Sequence, residues 1–284
     1  MAPKSRLHPW LTRVARFLLL PVAFAGSCLM AGAGRTYTLA VIPSLPPVAL
    51  HKAWTPLVRD LSREAGVDLE LKLYGTFPEF LADCEAGVPD FIYISPNLYF
   101  LVHEKQKYLP LVRSSVAISG LVFVRRDSPC QKVRDLHGRT IAFVGPKNVC
   151  SVITRYALAS GEGEIDYNAS FSGSTINVAK SVLLGKVDAG AILDAKQAGD
   201  FVEKSPDFRV LLRTPKIAPH PLVAHPRVPR ADREAVVRAV FALAATGPGQ
   251  TLLEGVGLGQ PTGADFQRDY ALFGDPGYQR IQRP

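Results

Sequence analysis

The sequence predicts an α/β protein of two lobes, each an open α/β unit, with the ligand cleft between them at a two-segment hinge. The order strand, helix, strand, helix, strand occurs twice, in residues 37–94 and again in 140–193. The last strand of each unit follows a Gly three residues before an Asp, at Gly87 and Gly185, which is typical of a helix that ends in a left-handed turn. Ligands of such sheets bind beyond the carboxyl ends of the strands, so two units favour a two-lobed binding protein.

In the first unit, strands are predicted at 37–42, 69–73 and 91–94 from short apolar runs bounded by turn residues. The breaks after the first two are Pro43-Ser44-Leu45 and Tyr74-Gly75-Thr76. Each break precedes a segment with apolar residues at helical spacing. The first unit therefore has two strand-to-helix loops that face the predicted cleft.

In the second unit, a β-branched and aromatic run at 140–144 is followed by Gly145-Pro146 and then by an apolar stripe of helical period from Val149 to Ala157. Asn148 and Ser151 are candidates for the capping turn. The first N–H groups of a helix lack partners and favour an anion, although an ordinary strand-to-helix connection that binds nothing is the alternative. A strand at 169–171, the loop Ser172-Gly173-Ser174 and a strand at 189–193 complete the unit.

Two extended segments, 116–125 and the Pro-rich 210–229, are predicted to cross between the lobes and to act as a hinge that closes on a ligand. The predicted domains are lobe 1 at 34–116, lobe 2 at 117–220, and a return to lobe 1 with C-terminal helices at 221–284. The tail at 265–278 is expected to dock on the first lobe.

The first 33 residues have the pattern of a secretory signal peptide: Lys and Arg, an uncharged apolar stretch, and a small-residue site ending at Ala33. Cleavage after Ala33 and a periplasmic location are expected. The segment Ala25-Gly26-Ser27-Cys28 also resembles a lipoprotein site, which keeps a lipid anchor on Cys28 as the alternative.

Removal of this peptide would take away four of the 33 basic residues and none of the 25 acidic ones, leaving a net charge of +4. No dense Lys/Arg block is present, so nucleic-acid binding is not expected. Neither CxxC nor HExxH spacing occurs, and no metal or cofactor is expected. A monomer is expected.

Three cysteines follow residue 33. Cys84 lies on an apolar helical stripe and is most simply a buried residue. Cys130 and Cys150 bracket a strand, so a disulfide between them is conceivable in an exported protein. A reactive thiol at Cys150 is the alternative, but no His with an Asn or Asp partner is recognisable nearby.

The chain contains, in this order, the segments LAVIPS, KAWTPLVRDLSREAGVDLELKLYGTFPEF, CEAGVPDFIYISPNLY, VFVRRDSPCQKVRDLHGRTIAFVGP, SFSGSTINVAKSVLLGKVDAGAILD and APHPLVAHPRVP. Together they resemble the periplasmic phosphate/phosphite/phosphonate-binding proteins of ABC importers, the PhnD-like family with the type II periplasmic binding fold. The resemblance implies a ligand cleft at the hinge and a membrane permease as partner. It also implies ligand contacts at Tyr74, Ser95, Ser174 and Asp194.

The chain departs from that family at 147–151, where phosphonate binders have a Ser/Thr-Ser-Gly run and this chain has Lys147-Asn148-Val149-Cys150-Ser151. A Lys ammonium can replace hydroxyl groups in anion binding because charge-assisted hydrogen bonds are strong. The ligand-binding residues predicted from the sequence are Ser44, Tyr74, Thr76, Ser95, Lys147, Asn148, Ser151, Ser172, Ser174, Thr175 and Asp194.

Structural roles are the alternatives at several of these positions. Tyr74 could close the edge of the core, and Ser172 and Ser174 could cap the next helix. Asp90 and Asp188 are expected to start strands or to bind backbone N–H groups, and not to contact the ligand. The predicted function is capture of a small anionic or zwitterionic solute, of the phosphonate, phosphite or phosphate type, for an inner-membrane ABC permease. The protein is not expected to be an enzyme, and the alternative function is a periplasmic receptor that signals to a membrane kinase or cyclase.

Overall fold

The structure is a computed structural model that describes residues 35–160, 165–194 and 198–282. The predicted signal peptide, including Cys28, lies outside the described residues. The described strands are β1 (Thr36–Val41), β2 (Asp68–Lys72), β3 (Phe91–Tyr93), β4 (Leu109–Ser114), β5 (Ser119–Arg125), β6 (Thr140–Phe143), β7 (Asn168–Phe171), β8 (Ala189–Asp194), β9 (Phe208–Arg213), β10 (Pro221–Ala224) and β11 (Pro261–Gly263). The described helices are α1 (Pro47–Ala65), α2 (Phe77–Glu85), α3 (Pro96–Gln106), α4 (Val149–Ser160), α5 (Thr175–Leu183), α6 (Ala198–Lys204), α7 (Arg230–Ala244), α8 (Gly247–Gly255), α9 (Phe266–Asp269) and α10 (Pro276–Gln282).

Lobe 1 is built on a six-stranded sheet in the order β11-β4-β10-β3-β1-β2. β1 pairs parallel with β2 and β3, and the other strands join antiparallel. Helix α1 packs on this sheet through an apolar stripe that includes Leu50, Trp54, Leu57 and Leu61, all of them buried. Their spacing of three or four residues keeps them on one helix face, which explains why this segment folds as a core-facing helix.

Lobe 2 is built on a five-stranded sheet in the order β7-β6-β8-β5-β9. Its strand β5 is buried on both faces, because Val122 and Val124 belong to one apolar cluster and Leu121 and Phe123 to another. Successive side chains of a strand point to opposite faces. The continuous apolar run of β5 is therefore what a central strand between two helical layers requires.

The predicted repeat is confirmed by the strand orders β2-β1-β3 and β7-β6-β8, which are equivalent in the two lobes. Gly87 and Gly185 have φ angles of 72° and 64°, as a left-handed helix end demands. Three residues later, the Oδ2 atom of Asp90 accepts from Thr38 N and that of Asp188 from Thr140 N, both at 2.9 Å. The expectation that these aspartates bind backbone groups is confirmed.

The crossover segments contain more strand than was predicted. The run 116–125 becomes strand at Ser119, and β4, β9 and β10 add antiparallel neighbours to both sheets. The two chains that cross between the sheets are 115–118 and 214–220, and they are joined where Ile118 and Ile217 exchange backbone hydrogen bonds of 3.0 and 2.8 Å. This short bridge is the hinge between the lobes. The domain boundaries given from the sequence remain predictions.

The C-terminal tail divides between the lobes. Phe266 of α9 packs against Tyr99 in lobe 1, with ring centroids 6.0 Å apart. Helix α10 instead packs on α4 of lobe 2, where Tyr278 stacks on Tyr156 at 3.7 Å. A Cβ at Gly277 would lie 2.8 Å from the Tyr156 ring, so only glycine allows this approach. The expectation that the tail docks on lobe 1 is thus wrong for α10, since its aromatic face matches α4.

Candidate ligand-binding site

The carboxyl ends of the parallel strands in both lobes meet at the hinge side of the molecule. The loops after β1 and β3 come from lobe 1, and those after β6, β7 and β8 come from lobe 2. Open α/β sheets bind ligands at this edge. Several of the predicted residues lie at the ends of these five strands, in the loops after them, or in the first turn of the next helix: Ser44, Ser95, Lys147, Asn148, Ser151, Ser172, Ser174, Thr175 and Asp194.

The loop after β6 is shaped by its own side chains. Asn148 Oδ1 accepts from Cys150 N at 3.0 Å, and the fully buried Ser151 Oγ accepts from Gly145 N at 3.4 Å. Asn148 therefore acts as a cap at the start of α4, as expected from its residue type. The half-buried Lys147 follows the end of β6 and adds a positive charge at the start of α4.

The loop after β7 is tied to that of β6 by a hydrogen bond of 2.9 Å from Gly173 N to Val144 O. Ser174 caps α5 by accepting from Asn177 N at 3.2 Å, and Asn177 Nδ2 donates to Ser172 O at 3.0 Å. Ser174 therefore has the helix-capping role that was the alternative to ligand binding. Its predicted ligand contact, like that of Ser172 and Thr175, stays a prediction.

Asp194, at the end of β8, already has two partners. Its Oδ2 accepts from Ser119 Oγ at 3.0 Å and forms an ion pair with Arg213. This carboxylate therefore ties the first residue of β5 to the last residue of β9. An additional contact to a ligand amine or hydroxyl remains a prediction, and the sequence reasoning missed both partners because they lie far away along the chain.

Tyr74 and Thr76, after β2, have local partners in lobe 1. The Tyr74 hydroxyl donates to Asp83 Oδ2 at 3.1 Å, and Lys72 Nζ donates to the same atom at 2.8 Å. Burial and the Asp83 carboxylate raise the pKa of Tyr74 well above its ordinary value, so the phenol stays a neutral donor. Thr76 caps α2 by accepting from Glu79 N at 3.4 Å. Their ligand contacts remain predictions.

The lobes touch through polar groups at the start of α3. Asn97 Nδ2 donates to Lys147 O of lobe 2 at 3.0 Å and to Gln282 Oε1 of α10 at 3.1 Å. Ser95, at the N-cap position of α3, does not cap the helix with its side chain. Asn97 and Gln282 were not predicted. The sequence could have indicated Asn97, because it is a polar residue directly after Pro96 and close to the end of β3. Nothing in the local pattern indicated Gln282.

His220 does not add positive charge beside these loops at neutral pH. Its ring stacks on Tyr93, with centroids 5.6 Å apart, and burial lowers its pKa to about 4. In the described part of the chain, no group of three or more His, Cys, Asp or Glu side chains could hold a metal ion. Arg213, at the end of β9, is paired with Asp194 and Glu203. Lys147 and the helix N-termini are therefore the positive features that the described part of this region offers an anion.

The comparisons with known proteins agree on the kind of protein. The family profile described as "ABC transporter, phosphonate, periplasmic substrate-binding protein" matches residues 39–270. The chain belongs to this family. No curated protein matches the sequence.

Solved structures with the same two-lobed fold include PhnD1 of Prochlorococcus marinus in complex with methylphosphonate, at 13% identity and a TM-score of 0.74 over 88% of this chain and 99% of the other. XAC2383 of Xanthomonas citri, bound to ATP, is 18% identical with a TM-score of 0.73 over 88% and 98%. The phosphonate transporter component PA3383 of Pseudomonas aeruginosa is 14% identical with a TM-score of 0.68 over 87% and 88%.

The chain thus belongs to a family of periplasmic substrate-binding proteins of ABC transporters, which is not a family of known enzymes. Among the described residues no single helix is long and apolar enough to cross a membrane. Helices α7 and α8 together have the length and composition of a membrane span, but the chain bends by 112° between them.

The thiols of this phosphonate-family protein are free and buried at Cys84, Cys130 and Cys150, so the conceivable Cys130–Cys150 disulfide is not formed. Burial raises the pKa of Cys150 well above its usual range, although the residue lies in the first turn of α4. We expect iodoacetamide to modify Cys150 only as fast as the native protein unfolds, and at once in denaturant. Alkylation of native protein at the rate of a free peptide thiol would instead support the reactive-thiol alternative.

Proposed function

We propose that this chain captures a small phosphorus oxyanion, of the phosphonate, phosphite or phosphate type, in the cleft between its lobes and delivers it to an inner-membrane ABC permease. The observation that carries the proposal is the family match over residues 39–270. The methylphosphonate complex of PhnD1, a protein with the same fold, supports the choice of ligand class.

The lobe 2 loops supply the positive potential that such an anion needs. The first N–H groups of α4 and α5 have no partners within the helices, and the helix dipoles place partial positive charge there. Lys147 adds a full charge at the start of α4. In this proposal its ammonium replaces hydroxyl groups that the resemblance implies at 147–151, because one charge-assisted hydrogen bond is roughly twice as strong as a neutral one.

Lobe 1 supplies the opposite wall and the closing motion. The hydrogen bond from Asn97 to Lys147 O at 3.0 Å joins the lobes and can form only when they are together. Closure would bend the two short crossing segments with their Ile118–Ile217 bridge, and also the stretch of tail between α9 on lobe 1 and α10 on lobe 2. Ligand that contacts both walls would therefore favour the closed arrangement.

Calorimetric titration of residues 34–284 with methylphosphonate, phosphite, phosphate and sulfate tests the proposal. We expect Lys147→Gln to weaken binding of the preferred phosphorus oxyanion roughly tenfold or more, since hydrogen bonds to charged groups contribute more than neutral ones. Lys186→Gln is the matched control, because Lys186 is exposed before the amino end of β8, and it should bind like wild type. Folded, ligand-free wild type that binds none of these anions would contradict the proposal.

We further propose that the chain is exported by its predicted signal peptide and acts as a non-catalytic monomer in the periplasm. Cleavage after Ala33 with a free N-terminus in a periplasmic extract would support export. Membrane-bound protein with a modified Cys28 would support the lipid-anchored alternative. The receptor alternative is not favoured by the match to a transport family.

A further inference from the structure

Three buried side chains, two at the start of α3 and one at the end of α10, carry polar atoms without a hydrogen-bond partner among the described residues. Ser95, Asn97 and Gln282 are 2%, 0% and 6% exposed. Ser95 Oγ, Asn97 Oδ1 and Gln282 Nε2 have no hydrogen-bond partner among the described residues. A buried polar atom without a partner is costly. Two of the three atoms lie on Asn97 and Gln282, which are hydrogen-bonded to each other, and the third lies on Ser95, two residues before Asn97. Together they indicate a place that something polar occupies.

The hydrogen bonds already present fix which atom can donate and which can accept. Lys147 O can only accept, so the Asn97 atom facing it at 3.0 Å must be the Nδ2 donor. The remaining Asn97 atom is therefore an acceptor. Because Asn97 Nδ2 also donates to Gln282 Oε1 at 3.1 Å, the remaining Gln282 atom is a donor. The Ser95 hydroxyl can do either.

The backbone adds donors at the same place. Pro96 has no N–H, and the N–H groups of Asn97 and Leu98 lie in the first turn of α3, where no intrahelical acceptor exists. Ser95 is at the N-cap position but makes no capping hydrogen bond. By contrast, α2, α4 and α5 have capping side chains in Thr76, Asn148 and Ser174. The start of α3 therefore combines free donors with a buried acceptor.

We propose that Ser95, Asn97 and Gln282 form a subsite for the protonated oxygen of a phosphorus oxyanion, in which Asn97 Oδ1 accepts a hydrogen bond from the P–OH group. The donors, Gln282 Nε2, Ser95 Oγ and the first N–H groups of α3, bind the unprotonated oxygens. A phosphonate or phosphate monoanion satisfies every group. A sulfonate or sulfate, which carries no proton at neutral pH, leaves the acceptor facing an oxygen lone pair.

This subsite depends on the C-terminal helix. Gln282 reaches it because α10 is held on α4 by the stacked rings of Tyr278 and Tyr156 and by Arg155, whose Nη1 donates to Ile281 O at 3.3 Å. Discrimination against sulfur oxyanions is therefore assigned to residues from α3 and from the end of the chain. The inference rests on the proposed function and adds the basis of ligand selection.

The test compares methylphosphonate with methanesulfonate, which differ at the acidic centre but match in shape, slightly below neutral pH in calorimetric titrations of residues 34–284. Wild type should bind methylphosphonate at least tenfold more tightly. In Asn97→Ala that ratio should approach one. Gln282→Glu keeps the size of the side chain but replaces the donor with a carboxylate oxygen, so it should weaken methylphosphonate binding at least tenfold. Asn168→Ala, at an exposed position on β7, is the control and should retain the wild-type ratio.

The outcomes separate the two proposals. Binding of methylphosphonate by wild type, with its preference unchanged in folded Asn97→Ala and its affinity unchanged in Gln282→Glu, would overturn the subsite alone. Wild type that binds both ligands equally would do the same. Failure of wild type to bind any phosphorus oxyanion would overturn the proposed function and the subsite together. Circular dichroism of each variant establishes that it is folded, and Gln282→Glu, near the chain end, covers the case in which Asn97→Ala does not fold.

Discussion

Replacing Asp269 by Ala is expected to lower the free energy of unfolding by about 3–5 kcal/mol, because it leaves a poorly exposed arginine without its partner. Asp269 is 4% exposed as a side chain, and Arg113, at 15%, binds it through two hydrogen bonds of 3.0 Å. A drop of roughly 10 °C in the melting temperature should follow for a chain of this size. Thermal unfolding followed by circular dichroism measures it.

The same carboxylate makes the effect dependent on pH. Burial alone would raise the pKa of Asp269, but hydrogen bonds from Arg268 and Arg113 lower it well below its usual range. Its contribution is therefore complete above the unfolded value of about 4 and is lost as the pH falls below that. Glu234→Ala, which breaks the exposed pair with Arg230, is the control and should cost less than about 1 kcal/mol. Equal losses in the two variants would contradict this account.

Phe123→Ala should destabilise lobe 2 by about 3–5 kcal/mol, as expected for removal of a fully buried aromatic ring. The Phe123 side chain is 0% exposed and meets Phe208 edge-on at 5.1 Å. It also fills the space beside Gly190, where an added Cβ would lie 2.9 Å from the ring. Urea unfolding of the variant measures the loss.

The two lobes can be followed separately in that experiment. Trp54 is the sole tryptophan after residue 33 and is buried in lobe 1, so its fluorescence reports on lobe 1. In Phe123→Ala, the circular dichroism transition should begin at lower urea than the Trp54 transition. Phe171→Ala, in the same lobe but 46% exposed, should change both very little. Coincident transitions shifted equally would mean that the lobes unfold as one unit.

The repeated part of the fold could be predicted from the sequence because its signals are local. Apolar runs, the helical stripe of α4 and the Gly–Asp spacing before β3 and β8 all lie within short windows. Strands β4, β9 and β10 were missed or merged into long crossovers because they are defined by antiparallel partners far away in sequence. Four-residue β10, next to several prolines, is strand only because β3 and β4 lie on either side of it.

For the site, the sequence located the loops but not the contacts. Ser95, Lys147 and Ser174 do lie where strands end and helices begin. The partner of Asp194, Arg213, and the pairing of Asn97 with Gln282 are tertiary contacts without a local pattern. Capping at Asn148 and Ser174 was recognisable from residue type, whereas a capping side chain and a ligand contact cannot be distinguished by residue type alone.

The chain segment of lobe 2 is inserted between two parts of lobe 1, and this affects the order in which the lobes fold. All strands of lobe 2 come from the continuous segment 119–213, whereas lobe 1 must bring β10 and β11 back to β4 across residues 115–220. Closing so long a loop costs about 4 kcal/mol of chain entropy in addition to a constant term. If lobe 2 folds first, the pairing of Leu121 with Arg213 already holds the two ends of that loop together. We therefore expect lobe 2 to fold earlier and to speed the folding of lobe 1.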